Sequence, residues 1–358
     1  MYNVAIIGCG RISHKIAEGV AKNNDRMKLI VLCDPIEEKM FETEKTYNKK
    51  IESEVSLLKY KDYKEILKEN KIDIAIISTE SGYHEEIGLY FLENGVNLII
   101  EKPLAMSIEG AQKLVDTAKK NNLKLAASHQ NRFNYSIQLL KKAIKENRLG
   151  RIFNGMARIL WTRDDNYYLQ APWRGTWALD GGTLMNQCIH NIDLINWMMD
   201  DEIDTVYAQT SNYIRNIEAE DYGVILIRYK SGKIATIEGS AIIYPKNLEE
   251  TLTITGEKGT VVIGGMAVNK INTWRVEGDN EQEYLSIDCG DPNSVYGYGH
   301  EALYKDFVDA LDENREPLVN GKAGLEAVKI ILAAYKSQKT GMAIKFDEFL
   351  KFSIVDMV

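Results

Sequence analysis

The apolar run Val4-Ala5-Ile6-Ile7 stops at Gly8-Cys9-Gly10, and an amphipathic pattern begins near Arg11. That order of strand, glycine turn and helix constrains the chain more than anything that follows. A parallel strand feeding a helix through glycines aims the helix's unpaired N–H groups and positive dipole end above the sheet, where an anionic diphosphate fits. The spacing is that of G-x-G-x-x-G with Ser13 in the sixth place, a residue small enough for helix and strand to pack closely. Taken alone, the motif also describes an ordinary glycine turn. The next apolar run, Lys28 to Cys33, ends in Asp34, near the offset of about twenty residues at which a carboxylate grips ribose hydroxyls. A carboxylate there repels a 2′-phosphate, and Pro35-Ile36-Glu37-Glu38 brings no Arg or Lys, so NAD is expected over NADP.

Alternation continues downstream. A charged helical stretch runs to about Lys50, and a short amphipathic helix from Asp62 to Asn70 has Asp62 as its cap. Ile72 to Ser78 reads as a strand, residues 84–94 as a helix stopped by Gly95, and Val96 to Ile100 as another strand. Buried strands alternating with helices make a doubly wound parallel sheet, whose ligands gather at the carboxyl ends of the strands. Three such ends carry chemistry: Ser78-Thr79 with His84 shortly after, Glu101-Lys102-Pro103, and His129-Gln130-Asn131-Arg132 after the strand Lys124 to Ser128. A cation like Lys102 beside a reacting hydroxyl stabilises developing alkoxide charge. The plainer reading makes Lys102 a surface lysine paired with Glu101, and His84 a residue capping its own helix.

The chain has 358 residues, 45% of them hydrophobic and only six of them proline, enough for two domains that each bury a core. No apolar run approaches the eighteen or so residues of a membrane span, and the opening Met1-Tyr2-Asn3 leads straight into a strand, so a cytoplasmic protein without membrane contact is expected. Cys9, Cys33, Cys188 and Cys289 have no C-x-x-C spacing, and neither a disulfide framework nor a metal site is expected. A net charge of −8 disfavours nucleic acid as a partner.

The second half changes pattern. A partly alternating segment from Arg151 to Arg163 reads as a strand delivering Arg163, and Tyr167-Tyr168 and Trp173-Arg174 follow. Rings with arginines suit a sugar nucleotide, because rings cover apolar faces while guanidinium groups bind carboxylate or phosphate; a solvent-facing loop with a few buried rings is the competing reading. A helix from Thr183 to about Met199, opening at Asp180-Gly181-Gly182, would place Asn186, His190 and Asp193 on one face at i, i+4 and i+7. β-rich runs recur at Val206 to Tyr213, Val224 to Tyr229, Ile234 to Ile243, Leu252 to Thr255 and Thr260 to Ile263, with a hairpin turn at Ser231-Gly232-Lys233. Short connections imply antiparallel pairing. Gly297-Tyr298-Gly299-His300 opens a helix, where His300 lines a pocket or caps, and Ala323 to Lys339 forms the last one. The expected architecture is an α/β Rossmann domain, a doubly wound parallel sheet over residues 1–126. An α+β domain with a large, open, mainly antiparallel sheet follows over 127–358 and binds substrate. Such a sheet needs its outer face covered, and a second subunit can do it, so a homo-oligomer, dimer or tetramer, is expected.

With its N-terminal glycines, Glu101-Lys102-Pro103 and Gly181-Gly182…His190…Asp193, the chain resembles the glucose-fructose oxidoreductase and inositol dehydrogenase family, Gfo/Idh/MocA, over nearly its whole length. The resemblance implies that Lys102 sits by the substrate, that Pro103 is cis and that His190 is the acid/base. The inositol dehydrogenase branch has an aspartate four residues before that histidine; here Asn186 stands in its place, which argues against a plain cyclitol dehydrogenase. The run Trp173-Arg174-Gly175-Thr176-Trp177 leading into Asp180 through Gln187 looks like the nucleotide-sugar branch, including UDP-N-acetylglucosaminuronate 3-dehydrogenases. NAD is then expected to meet Gly8, Gly10, Arg11 and Ile12 of the turn, Asp34, Ser78, Thr79, His84, Glu101, Lys102 and Gln130. The sugar is expected at Lys102, Arg132, Arg163, Trp173, Arg174, Asn186 and His190, with Lys102, His190 and Asn186 forming the catalytic set. The expected reaction is NAD-dependent oxidation of a secondary alcohol on a UDP-linked amino-sugar uronate, at C3. A free-sugar or cyclitol dehydrogenase and a non-catalytic NAD-sensing regulator are the alternatives.

Overall fold

Val4 to Ile7 are shut off from solvent, as a strand must be when helices cover both faces of its sheet. They form β1 (Tyr2–Ile7), followed in chain order by β2 (Met27–Cys33), β3 (Leu58–Tyr60), β4 (Ile74–Ile77), β5 (Asn97–Ile100) and β6 (Leu125–Ala127). All six pair in parallel, in the order β3-β2-β1-β4-β5-β6. The direction of winding reverses between β1 and β4, which opens a crevice at their carboxyl ends. The connecting helices are α1 (Ser13–Lys22), α2 (Glu37–Ile51), α3 (Ile66–Glu69), α4 (His84–Glu93) and α5 (Ile108–Lys120). The helix expected from Asp62 begins as a tight turn at Tyr63–Glu65, with the Asp62 carboxylate accepting the Lys64 N–H at 2.9 Å. Gly95 ends α4 at φ +79°.

The structure, a computed structural model, describes residues 1–290, 299–348 and 352–357. Two units divide the chain: Met1–Ser128 with His300–Leu325, and His129–Gly299 with Glu326–Val358. The first unit therefore draws on a late segment as well as the early residues. Ala127 donates its N–H to the Val319 carbonyl at 3.1 Å, and Asn320 bridges to Ala126, extending the sheet past β6. The helix Gly299–Asp312 lays Tyr304 so tightly on Gly19 of α1 that an added Cβ would lie 2.6 Å from the ring. Of the motif expected to open that helix, Gly297 and Tyr298 lie outside the described residues.

The second unit is an eight-stranded mixed sheet. Its strands are β7 (Ile152–Leu160), β8 (Ile203–Ser211), β9 (Tyr222–Tyr229), β10 (Ile234–Ser240), β11 (Glu249–Gly256), β12 (Gly259–Gly264), β13 (Lys270–Val276) and β14 (Ile344–Lys345). They run in the order β13-β12-β11-β7-β10-β9-β8-β14. Pairing is antiparallel throughout except where β10 lies parallel to β7. Alternation along β9 sends Ile225, Ile227 and Tyr229 inward and leaves Val224 and Leu226 on the outer face. β13 escaped the sequence reading because its buried Trp274 sits among polar residues; that ring stacks on Tyr284 at 4.1 Å. Helices α6 (Tyr135–Lys145), α7 (Asp165–Leu169), α8 (Thr183–Asn186) and α9 (Ile189–Met199) complete the parts that matter for chemistry. Gly155 of β7 lets Ile195 of α9 close onto the sheet, where an added Cβ would stand 3.2 Å from that side chain.

No helix of the described residues is long and apolar enough to cross a membrane. In the first unit Gly8 stands at φ +93° against backbone that cannot move aside, and an added Cβ would lie 2.6 Å from the backbone carbon and oxygen of Ser78. Gly8→Ala is therefore expected to lower stability by about 3 kcal/mol or more. A denaturant midpoint within error of the parental one would refute that reading.

Candidate active site

The glycine turn is built from backbone bonds to the neighbouring strand. Gly8 donates to the Cys33 carbonyl at 2.8 Å, and Cys9 donates to Asp34 Oδ2 at 2.8 Å, while Asp34 Oδ1 accepts from Ile36 at 2.9 Å. Each carboxylate oxygen keeps a lone pair for a ribose hydroxyl. Burial pushes the Cys9 thiol up to about 12, so at neutral pH it is an inert spacer. Ser13 closes the turn by donating to the Gly10 carbonyl at 2.8 Å, and a Cβ added at Gly10 would meet nothing within 4 Å. Open space on that side is what lets a turn backbone approach a diphosphate. Arg11 and Ile12 lead from this turn into α1.

The neighbouring strand ends carry the remaining expected groups of this unit. Ser78 Oγ donates to the Gly8 carbonyl at 2.8 Å. His84 does not cap its own helix: Nδ1 lies 2.8 Å from the Pro103 carbonyl and Nε2 lies 3.2 Å from the Thr79 carbonyl. Burial pushes this imidazole down despite the two carbonyls, so it is neutral at pH 7 and its single N–H belongs to the shorter contact. It thereby ties the Glu101-Lys102-Pro103 turn, whose Lys102–Pro103 bond is cis as expected, to the loop after β4. Burial works to raise the Glu101 carboxyl, but His300, Lys102 and Ser128 outweigh it and hold the group below the usual carboxylate range. His300 Nε2 stands 3.8 Å from Glu101 Oε1, beyond hydrogen-bond reach, and among the described residues Glu101 Oε1 has no hydrogen-bond partner. An ionised carboxylate with a spare oxygen suits hydroxyl donors, so Glu101, Asp34 and the open side of Gly10 together fit a dinucleotide.

In the second unit, the helix expected from Thr183 to Met199 is broken. Gln187 and Cys188 both donate to the Thr183 carbonyl, at 3.0 and 2.9 Å, so the ladder slips by one residue and α9 starts afresh. Asn186 and His190 therefore lie on two helices, and the single polar face is lost. The Asn186 amide donates to Asp180 Oδ1, and Asp180 Oδ2 accepts the Gly175 N–H at 2.7 Å. A carboxylate thus stands beside Asn186 after all, supplied from six residues upstream. His190 meets the buried His129 edge to face at 5.8 Å, a partner that its place beside Gln130 had flagged only as a strand end. Asp193 does not share this neighbourhood. It accepts Arg132 Nε at 2.7 Å and Nη2 at 2.6 Å in a buried bidentate pair, with the guanidinium 4.9 Å from the Trp197 ring. Arg132, expected at the substrate, thus has a structural partner. Gln130 is buried in the same short turn, Gln130–Phe133.

The aromatic and arginine run does assemble. Arg163 lies 4.7 Å from the Trp161 ring and 5.3 Å from Tyr167, while Arg174 lies 4.4 Å from Tyr167 and 4.6 Å from Trp173. The Tyr167 hydroxyl accepts from Arg174 at 2.7 Å and from Gln187 at 3.3 Å. Two stacked guanidinium groups are thereby held half-buried with donors to spare, the arrangement that binds anions in a fixed plane. Among the described residues no cluster of three or more His, Cys, Asp or Glu could hold a metal ion.

Residues 2–129 match the NAD-binding Rossmann fold of the GFO/IDH/MocA oxidoreductase family, and residues 141–346 match that family's C-terminal alpha/beta domain. The chain belongs to the Gfo/Idh/MocA family. As a Gfo/Idh/MocA oxidoreductase it uses NAD, and the turn, Asp34 and Glu101 fit that cofactor. It is similar to the WlbA dehydrogenase from Bordetella pertussis, solved in complex with NADH and UDP-GlcNAcA. Identity is 32% and the TM-score 0.85, with 96% of this chain and 98% of that one covered. WlbA from Chromobacterium violaceum, with the same two ligands, is 33% identical at a TM-score of 0.85, covering 96% of this chain and 95% of that one. The myo-inositol 2-dehydrogenase of Thermotoga maritima is 24% identical over 352 residues, 97% of this chain and 99% of its own length.

Removing one partner from the Arg132–Asp193 pair leaves a buried charge without its counter-ion. Asp193→Ala should lower stability by about 3–5 kcal/mol, whereas an apolar pair, Arg132→Met with Asp193→Leu, should recover most of it. Equal losses in the single and double variants, measured by chemical denaturation, would show that the pair is not what holds α9.

Proposed function

We propose that this protein is an NAD-dependent dehydrogenase of a nucleotide-linked sugar, oxidising a secondary alcohol, at C3, of a UDP-linked amino-sugar uronate. The observation that carries the reading is the pair of arginines stacked on Trp161, Tyr167 and Trp173, which gives a diphosphate or carboxylate two planar cations among rings. Likeness to two WlbA dehydrogenases solved with UDP-GlcNAcA supports it. A free-sugar or cyclitol substrate is the second reading, favoured by the likeness to myo-inositol 2-dehydrogenase.

Bound NAD supplies the hydride acceptor. His190 takes the hydroxyl proton of the sugar as the carbinol carbon gives up its hydride, and Lys102 places an ammonium charge by the oxygen while alkoxide character develops. Asn186, oriented by Asp180, fixes the sugar or the imidazole. We further propose a homo-oligomer closed over the outer face of the eight-stranded sheet. There the facing residues Tyr207 and Leu226, with Met156 two strands further along the same row beyond Thr236, stay substantially exposed. Sedimentation as a monomer at micromolar concentration would rule that out.

NAD reduction with UDP-N-acetylglucosaminuronate, UDP-N-acetylglucosamine, myo-inositol and glucose tests the substrate. Turnover is expected with the UDP-linked sugars, and turnover with inositol or glucose alone would transfer the assignment to the second reading. His190→Ala and Lys102→Ala should each lower kcat by about 10²–10⁴-fold, and near-parental turnover in both would defeat the proposed roles. Loss of both Arg163 and Arg174 should raise KM for the UDP-sugar by about tenfold or more.

A further inference from the structure

Glu220, just before β9, is a carboxyl that the proposed reaction does not use, and it lies 3% exposed beneath the segment that carries Asn186. Its Oε1 accepts the Leu184 N–H at 2.8 Å and the Tyr335 hydroxyl at 3.0 Å, and its main-chain carbonyl accepts the Thr183 N–H at 3.0 Å. The Tyr335 oxygen also lies 3.4 Å from the Gly182 N–H. Three successive N–H groups, of residues 182 to 184, are thus held by Glu220 and its phenol partner: Leu184 by the carboxyl, Thr183 by the Glu220 main-chain carbonyl and Gly182 by Tyr335. The fit leaves no slack: a Cβ added at Gly182 would lie 1.8 Å from Glu220 Oε2. The remaining bonds pass the constraint onward. Asn186 donates its backbone N–H to Gly182 at 3.0 Å, and Gln187 and Cys188 both return to Thr183, immediately before α9 and His190.

Among the described residues, nothing around this carboxyl balances a negative charge. Its contacts are backbone N–H groups and a phenol, Oε2 has no hydrogen-bond partner, and no ion pair reaches it among the described residues. The titratable groups that face it are Tyr335 from the last helix, Cys188 after α8, Tyr168 of α7 and its own neighbour Asp221, none of them a cation. Burying a charge in such company is costly, whereas the neutral acid keeps the same two accepted bonds.

We propose that Glu220 is a positioning residue that works as the neutral acid, holding the first turn of α8, and through it Asn186 and the start of α9, in place for catalysis. The inference rests on the proposed roles of Asn186 and His190. Burial, against the Leu184 and Tyr335 bonds, pushes the group from 4.5 up to about 8. Between those two values the folded chain holds a proton that the unfolded chain has released, so stability falls as pH rises through that window and levels off above about 8. Above about 8 the folded chain ionises Glu220, and the turn loses its neutral support. Glu250, also buried and pushed up to about 8, titrates alike in every variant and cancels from comparisons.

The test compares the full parental chain with Glu220→Gln and Glu220→Ala. Thermal unfolding of Glu220→Gln should gain on the parental chain as pH rises from about 5 to 8 and hold a constant lead above that. A difference independent of pH would overturn the neutral acid. The parental kcat should fall about fivefold from pH 8 to 9, a limb that Glu220→Gln loses, while Glu220→Ala should lower kcat at every pH by loosening the turn. A Glu220→Gln profile that keeps the parental limb, or that is low at every pH in a folded protein, would overturn the positioning role. If no sugar turns over, calorimetric affinity for the UDP-sugar replaces kcat in the same comparison. Absence of binding as well would defeat the functional reading, with the unfolding data still deciding whether Glu220 is neutral.

Discussion

Two backbones pass at Gly8 and Ser78 with no room for a side chain between them, and the chemistry of the first unit depends on that approach. Ser78 donates its N–H to Ile7 at 2.7 Å and its hydroxyl to Gly8, and Glu101 donates its N–H to Ile77 at 2.8 Å, so three strand ends terminate in register. The winding of the sheet reverses between β1 and β4, which sends the following helices to opposite faces and leaves the strand ends open above. Asp34 flanks the opening through the Cys9 N–H, and Glu101 flanks it one strand beyond β4. The cofactor site is in this sense a property of the sheet's edge, with the glycine turn as its most constrained point.

The second unit solves a different problem. The groups proposed for catalysis and binding there stand on short helices and loops, where apolar packing fixes position but not orientation, and buried polar contacts do the orienting. Asp180 takes Asn186, Tyr167 takes Arg174, and Asp193 takes Arg132 in a bidentate grip. Trp197 of α9 lies between Arg132 at 4.9 Å and Lys141 at 5.0 Å, and Lys141 donates to the Trp197 carbonyl at 2.5 Å, closing the end of that helix. Each contact is directional, and a polar group buried without its partner is costly, so each admits one arrangement.

Most of the longer sheet strands and most of the cofactor turn were legible in the sequence because they rest on local rules: buried runs between breakers, a glycine spacing, a carboxylate at a strand end. Less was legible in the second unit. The helix after Gly182 has unbroken helical periodicity from Leu184 to Met198, and nothing in that pattern marks the slip at Gln187, which depends on a bond to Thr183 and on Glu220 beneath. The bidentate partner of Arg132, Asp193, lies 61 positions away and left no mark in the spacing. His84 looked like a cap, whereas its ring reaches Pro103 on another strand end. In each case the deciding contact is long-range, and a single chain's spacing carries no record of it.

The return of His300–Leu325 to the first unit has a consequence for synthesis. Strands β1 to β6 leave the ribosome together, yet the edge of β6 stays without its Val319 and Asn320 partners, and Gly19 stays without Tyr304 over it. Translation of the intervening residues takes roughly 10–30 s at ordinary elongation rates, longer than most small domains need to fold. During that interval the nascent chain shows a bare strand edge and an uncovered helix, so a stretch made late in synthesis acts as the clasp on the first domain to form.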